Sequence, residues 1–75
     1  MDDAIIKIAV EALELTEAEA RSYNKPVPEI DGWYFWSPAR GGRSLLVNKD
    51  LERLIATSAV KFDAHVKAFE NGRRN

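Results

Sequence analysis

Residues 31–48, with the sequence DGWYFWSPARGGRSLLVN, predict a β-hairpin around which the rest of the chain can be arranged. Asp31-Gly32 is a turn signal, and the aromatic residues 33–36 that follow it favour an extended strand. The segment 37–43 contains a proline and a glycine pair, which are typical of a loop. Residues 44–48 are the second strand, so the predicted hairpin is antiparallel and has a long, basic tip.

Both faces of this hairpin are apolar, because side chains alternate along each strand. The side chains divide into Trp33, Phe35, Leu45 and Val47 on one face and Tyr34, Trp36 and Leu46 on the other. Two explanations are open. Either helices cover both faces and all of these residues are core, or one face is exposed and its aromatic pair binds a partner. We favour the core interpretation, because aromatic side chains supply much of the buried area in a small domain.

The N-terminal segment predicts a helix, with Asp2 or Asp3 as its N-cap. From Ala4 to Leu15 most residues are apolar. The polar ones occupy an arc of roughly 80° when residues are placed about 100° apart. A helix that packs on one sheet needs an apolar stripe only a little wider than about 100°. Either this helix is covered on two sides within the domain, or one side meets another chain.

The second of these alternatives predicts a homodimer. Large exposed apolar patches are rare on monomers, and two-fold pairing is the commonest symmetry of oligomers. The candidate dimer surface consists of Ile5, Ile8, Ala12 and Leu15.

A second helical segment is predicted to follow the first. Thr16-Glu17-Ala18-Glu19 is a capping box, in which Thr16 and Glu19 each bond a free backbone N–H, and we expect helix from Glu17 to about Tyr23. Residues 24–28 (NKPVP) cannot be helical, because each proline disfavours helical geometry in the residue before it. This segment is therefore predicted to be an extended linker.

Residues 49–60 allow two interpretations. The spacing of apolar residues fits one long helix over residues 50–71. Against this, residues 48–50 have turn chemistry, and several β-branched residues follow them. We favour a third strand at about residues 53–58 and a final helix at about residues 61–70, because three strands are more stable than an isolated hairpin.

The predicted fold class is therefore α+β in a single small domain, residues 1–75: an N-terminal helix, a three-stranded antiparallel meander and a C-terminal helix. The alternative is a helix, a β-hairpin and a long C-terminal helix. A composition of 45% hydrophobic and 31% charged residues is typical of an ordinary globular protein. The chain has no apolar run long enough to span a membrane and no basic secretory signal, so we expect a cytoplasmic protein with no membrane partner. The absence of cysteine excludes disulfides and thiolate chemistry.

The net charge of −1 conceals a division between two halves. Residues 1–37 contain three basic and eight acidic residues, a net charge of −5, whereas residues 38–75 contain eight basic and four acidic residues, a net charge of +4. The segment Arg40-Gly41-Gly42-Arg43-Ser44 has groups that suit a phosphate, but it is not a P-loop. A nucleic-acid-binding hypothesis follows, with aromatic rings as stacking surfaces. Its candidate residues, which also serve for a protein partner, are Tyr34, Trp36, Arg40, Arg43, Arg73 and Arg74.

His65 is the only histidine, so any imidazole chemistry must use it. It falls at the edge of the apolar face of the last helix, where a packed, hydrogen-bonded role is the simplest interpretation. A Ser–His–Asp set can be composed from Ser44, His65 and Asp50, but triads are recognised by geometry and not by inventory. One histidine without a neighbouring ligand set does not predict a metal site. We therefore predict no catalytic, cofactor-binding or metal-binding residue and no enzymatic activity.

The leading hypothesis for function is a small protein–protein interaction module that forms a homodimer. The alternative is a nucleic-acid-binding module that uses the basic hairpin tip and the aromatic strand.

Overall fold

The computed structural model describes residues 1–38 and 42–75. The elements, in chain order, are helix α1 (Asp3–Leu13), helix α2 (Glu17–Ser22), strand β1 (Asn24–Val27), a 3-10 turn (Pro28–Ile30), strands β2 (Gly32–Trp36), β3 (Ser44–Asn48) and β4 (Arg53–Ala56), and helix α3 (Phe62–Glu70). The four strands form one antiparallel sheet in the order β1-β2-β3-β4. The α+β class is therefore confirmed, with four strands in place of the predicted three.

The first two helices begin at the predicted caps. The Asp2 side chain accepts a hydrogen bond from the Ala4 backbone N–H at 2.9 Å. Thr16 and Glu19 form the reciprocal capping box, with bonds of 2.9 and 3.1 Å. Helix α1 ends at Leu13, two residues before the end of the apolar segment, because Glu14 takes a left-handed conformation with φ of 55°. The two helical segments are thus separated by a turn, as the capping box indicates.

The prediction that residues 24–28 form only a linker was wrong. Strand β1 pairs with β2 in a register that runs from Asn24↔Phe35 to Val27↔Gly32. The extended geometry that prolines impose on their neighbours is also the geometry of a strand. Pro26 lacks a backbone N–H, and it is tolerated because β1 lies at the edge of the sheet.

The interpretation of residues 49–60 as turn and strand is confirmed. Strand β4 pairs with β3, from Ser44↔Ala56 to Val47↔Arg53. The alternative of one helix over residues 50–71 was wrong, because the chain turns at residues 49–50 and runs back along β3. Helix α3 begins only at Phe62.

Helices lie on both faces of the sheet: α1 packs on one face, and α3 covers part of the other. On one face, Phe35, Leu45 and Val47 pack with α1 in one apolar cluster. On the other face, Leu46 packs with residues of α3, β4 and the 3-10 turn in a second cluster. These four hairpin side chains are completely buried. The two-sided apolar pattern of the hairpin is therefore explained mainly by burial within one chain.

The prediction that residues of α1 form a dimer surface is corrected by their burial within the chain. Ile5, Ile8 and Leu15 are only 2%, 8% and 7% exposed, and Ala12 packs against the same cluster. Helix α2 folds back on α1, with Ala20 in the cluster and Arg21 paired with Asp3 at 3.0 Å. One side of α1 is thus covered by the sheet and another by α2, so this strip is core and not a surface for a second chain.

In the part of the chain that the structure describes, no helix is both long and apolar enough to cross a membrane.

Candidate interaction surface

Four partly exposed aromatic rings lie in contact on the side of the sheet that carries α3. Trp36 stacks on Tyr34, with ring centroids 5.8 Å apart. The edge of Tyr23 meets Trp36 at 6.2 Å, and the edge of Phe62 meets Tyr34 at 4.8 Å. We call these four residues, Tyr23, Trp36, Tyr34 and Phe62, the aromatic ridge. The ridge joins the end of α2, the length of β2 and the first turn of α3 into one surface.

The position of α3 explains why these rings stay partly exposed. Helix α3 packs against β3, β4 and the 3-10 turn, so it covers only part of this face. The part formed by β1 and β2 is covered by the aromatic ridge itself, and each of its four side chains is half-buried. This leaves a continuous, partly apolar surface beside the helix.

Lys25 lies across the ridge from the neighbouring edge strand. Its Nζ atom is 3.9 Å from the centroid of Phe62 and 5.7 Å from that of Tyr34. The cross-strand pair Lys25↔Tyr34 produces this arrangement, because directly paired residues present their side chains on the same face. A cation over an aromatic face is attracted by the ring quadrupole. The ridge therefore combines ring surface with one exposed ammonium group.

The described arginines of the predicted set, Arg43, Arg73 and Arg74, do not gather at the ridge. Arg43 donates from Nη2 to the Ala12 carbonyl oxygen at 3.1 Å, on the side of the sheet that α1 covers. Arg74 donates from Nη1 to the Phe69 carbonyl oxygen, lies 3.6 Å over the Phe69 ring and pairs with Glu52 at 3.7 Å. The predicted set of partner-binding residues is thus divided between several regions of the molecule.

The remaining members of that set have separate positions. Tyr34 and Trp36 are in contact in the ridge, whereas Arg73 is exposed after α3 and lines a cleft beside β4. Arg40 and Gly41, two of the five residues of the phosphate-binding candidate at the hairpin tip, lie outside the described residues.

The buried polar pair of Ser44 and His65 is the nearest approach to catalytic chemistry. His65 Nδ1 lies 3.2 Å from Ser44 Oγ, and Nε2 lies 2.7 Å from the Leu54 carbonyl oxygen. A carbonyl oxygen only accepts, so Nε2 carries the proton and Nδ1 accepts from the Ser44 hydroxyl. Burial lowers the pKa of His65, and the hydrogen bond to Leu54 opposes this shift.

The Ser–His–Asp set composed from the sequence is not assembled. The second ring nitrogen of His65 faces the Leu54 carbonyl, and Asp50 is exposed in the turn between β3 and β4. Ser44 and His65 are only 5% and 1% exposed. The pair holds α3 against β3 and β4, which is the packed, hydrogen-bonded role expected for the histidine.

Within residues 1–38 and 42–75, no three His, Asp or Glu side chains are grouped closely enough to hold a metal ion.

Three members of this surface were not predicted from the sequence as partner-binding residues: Tyr23, Lys25 and Phe62. Their placement depends on the pairing of β1 with β2 and on the packing of α3 against the sheet, and neither follows from local sequence. Once β1 is known to be a strand, the register places Lys25 beside Tyr34. The surface is therefore assembled by tertiary contacts from three separate segments.

Comparison with protein-family models, with curated proteins and with solved structures finds no match to this chain.

Proposed function

We propose that this protein is a small protein–protein interaction module, and that a second copy of the chain binds to the aromatic ridge and Lys25. The observation that carries the proposal is the continuous line of four half-buried rings that extends from the end of α2 across β2 to the start of α3. Tyrosine and tryptophan are enriched at protein interfaces, where they often provide much of the binding free energy.

A second copy is favoured because the surface is complementary to itself. In a two-fold interface, each residue that contacts a partner residue is matched by the reciprocal contact. The ridge presents both an exposed ammonium group, Lys25, and the partly exposed ring of Trp36. Across a two-fold axis, Lys25 of each copy would exchange its contact with Phe62 of its own chain for a cation–π contact with a ring of the other copy.

A protein partner is favoured over nucleic acid because the ring faces of the ridge already contact other side chains. Bases stack on open ring faces. One face of Tyr34 is stacked on Trp36, and Phe62 and Lys25 also contact its ring. Two of the four arginines that were predicted to neutralise phosphates, Arg43 and Arg74, are bonded to backbone carbonyls away from the ridge.

Binding is also favoured over catalysis. The hydroxyl of Ser44 and the imidazole of His65 are the most suggestive reactive pair, and both are buried and hydrogen-bonded in the core. Their environment supports a structural role, so we extend the proposal to a protein without enzymatic activity of its own.

The test is light scattering coupled to gel filtration over a range of protein concentrations. We expect the mean mass to rise from the monomer value of 8.5 kDa towards twice that value as concentration increases. Trp36→Ser and Lys25→Glu should both shift the equilibrium towards the monomer. Leu51→Asn is the matched control, because it removes an exposed apolar side chain in the turn between β3 and β4.

Circular dichroism establishes that each variant is folded, and Lys25→Glu guards against loss of fold in Trp36→Ser because Lys25 is exposed. A mass that stays at 8.5 kDa at every concentration overturns self-association. A dimer that survives both substitutions overturns the assignment of the ridge as the interface.

A further inference from the structure

The outer edge of β4 is occupied by Asn75. The Asn75 backbone N–H donates to the Arg53 carbonyl oxygen at 3.1 Å. Its side-chain Oδ1 accepts from the Ile55 N–H at 2.8 Å, and its Nδ2 reaches the Ile55 carbonyl oxygen at 3.5 Å. An asparagine side chain carries the same amide group as a peptide unit. Asn75 therefore makes at this edge the hydrogen bonds that a residue of a neighbouring strand would make.

These contacts identify the backbone N–H and C=O groups that point outward from the edge of the sheet. In an antiparallel pair, alternate residues direct their backbone N–H and C=O groups away from the partner strand. Arg53 and Ile55 are two residues apart in β4, opposite Val47 and Leu45. Their outward groups are the ones that Asn75 bonds, and Asn75 itself is exposed. Asn75, a single exposed residue, thus occupies part of the position that a longer added strand would take.

A cleft of about 210 Å³ runs beside this edge. It is lined by residues of β4, by Ala68 of α3, and by Val60 and Arg73. Val60 is 38% exposed, so its apolar side chain is open to solvent at this cleft. The small side chains of Ala56 and Ala68 leave room for an aliphatic side chain from outside.

We infer that the β4 edge and this cleft form a strand-addition site, which binds an extended, acidic segment of a partner protein. The segment displaces Asn75, bonds Arg53 and Ile55 through its backbone, and places an aliphatic side chain in the cleft beside Ala68. An acidic residue of the segment pairs with Arg73. Recognition by strand addition uses this combination, with affinity from the main chain and specificity from pockets for alternate side chains.

An extended polypeptide is the occupant that the observations favour, because a residue of this chain already forms strand-type hydrogen bonds there. Acidic character follows from the basic side chain of Arg73, which lines the cleft. The site is separate from the aromatic ridge, since β1 and β4 are opposite edges of the sheet. It therefore stands or fails independently of self-association through the ridge.

The experiment is an NMR titration of the full chain, labelled with ¹⁵N, at low protein concentration. The probe is an acetylated, amidated hexapeptide of alternating valine and glutamate. We expect saturable shifts of the backbone amides of Arg53, Ile55, Ala68 and Asn75, with the Trp36 amide unchanged. A peptide of alternating proline and glutamate has the same charge but cannot pair as a strand, and it should produce no shifts at these residues.

Two variants and a control sharpen the test. Asn75→Ala removes the competing side-chain amide, so the probe should bind several-fold more tightly. Arg73→Glu reverses the charge of a residue that lines the cleft and should weaken binding several-fold. Lys67→Glu makes the same change of charge at another exposed position of α3, and it should have a much smaller effect.

Absence of shifts at millimolar probe in Asn75→Ala overturns the strand-addition site. Equal affinity of the original chain and Asn75→Ala also overturns it, because displacement of Asn75 would then play no part. Shifts confined to the aromatic ridge, or equal shifts with the proline peptide, contradict the site in the same way.

Discussion

The imidazole of His65 and the hydroxyl of Ser44 are hydrogen-bonded in the interior, with 3.2 Å between Nδ1 and Oγ. The other ring nitrogen donates to the Leu54 carbonyl oxygen at 2.7 Å. These two bonds join α3 to β3 and β4, so one side chain links three elements on the same face of the sheet. A buried polar group is tolerated only when its hydrogen bonds are satisfied, and here both ring nitrogens have partners.

The first prediction concerns pH. Burial lowers the pKa of His65 in the folded chain below the unfolded value of about 6.5. Above about pH 6.5 the imidazole is neutral in both states, and the stability is fully present. As the pH falls below this value, the unfolded chain gains a proton that the folded chain does not accept, so the free energy of unfolding decreases until the folded pKa is reached.

Urea unfolding followed by circular dichroism, on both sides of about pH 6.5, measures this effect. His65→Gln should be less stable at neutral pH, and its stability should change less over this interval because the titrating group is gone. Carboxylates also titrate in acid, so the comparison between the two proteins isolates the histidine. Equal pH dependence in both proteins would contradict the assignment.

The second prediction concerns the apolar strip of α1. Ile8 lies in the core cluster, so Ile8→Glu buries an unpaired carboxylate and should destabilise the fold by at least about 3 kcal/mol. A loss of that size is a large part of the stability of a small domain. Lys7→Gln, at the adjacent exposed position, should change stability by less than about 0.5 kcal/mol. Thermal unfolding measures both, and a stable, folded Ile8→Glu monomer would show that Ile8 faces solvent.

The third prediction concerns the close contact between β2 and β3 at Gly32. A Cβ atom on Gly32 would collide with the Val47 carbonyl oxygen and lie 2.6 Å from the Asn48 Cα. Both obstacles are backbone atoms, so they cannot move without shifting a buried strand. Gly32→Ala should therefore cost about 2–4 kcal/mol.

Gly72→Ala is the control for this change. Gly72 has φ of 93°, but a Cβ there would meet nothing within 4 Å. Its cost should be the backbone strain alone, about 1–2 kcal/mol. Urea unfolding of both variants tests the contrast, and a Gly32→Ala variant as stable as the parent would mean that the two strands are not in this register.

The fourth prediction concerns nucleic acid. The ring faces of the aromatic ridge contact one another, and Arg43 and Arg74 are bonded elsewhere, so a short single-stranded oligonucleotide should not bind there. The backbone amide NMR signals of Tyr34 and Trp36, and the indole N–H signal of Trp36, should stay unchanged when a thymidine oligonucleotide is added at low salt. Saturable shifts at these residues that disappear as salt is added would favour nucleic acid over the proposed protein partner.

Local chemistry predicted several elements correctly. The caps at Asp2 and at Thr16 with Glu19 involve residues within three positions of one another, so their hydrogen bonds can be recognised from spacing alone. Period-two alternation likewise predicted the faces of β2 and β3, because it depends only on extended geometry. The edge strand β1 was missed, since an extended segment becomes a strand only when a neighbour pairs with it.

The sequence by itself determined that the chain has strongly apolar helical and strand segments, separated by turns and caps. It left open whether the apolar excess of α1 meets another chain or its own, because that depends on how far α2 folds back. The Ser44–His65 pair and the aromatic ridge also arise only in the tertiary structure. Ser44 and His65 are 21 residues apart, and the ridge extends from Tyr23 to Phe62. Hydrogen bonds and ring contacts at such separations are set by the packing of the sheet and not by local spacing.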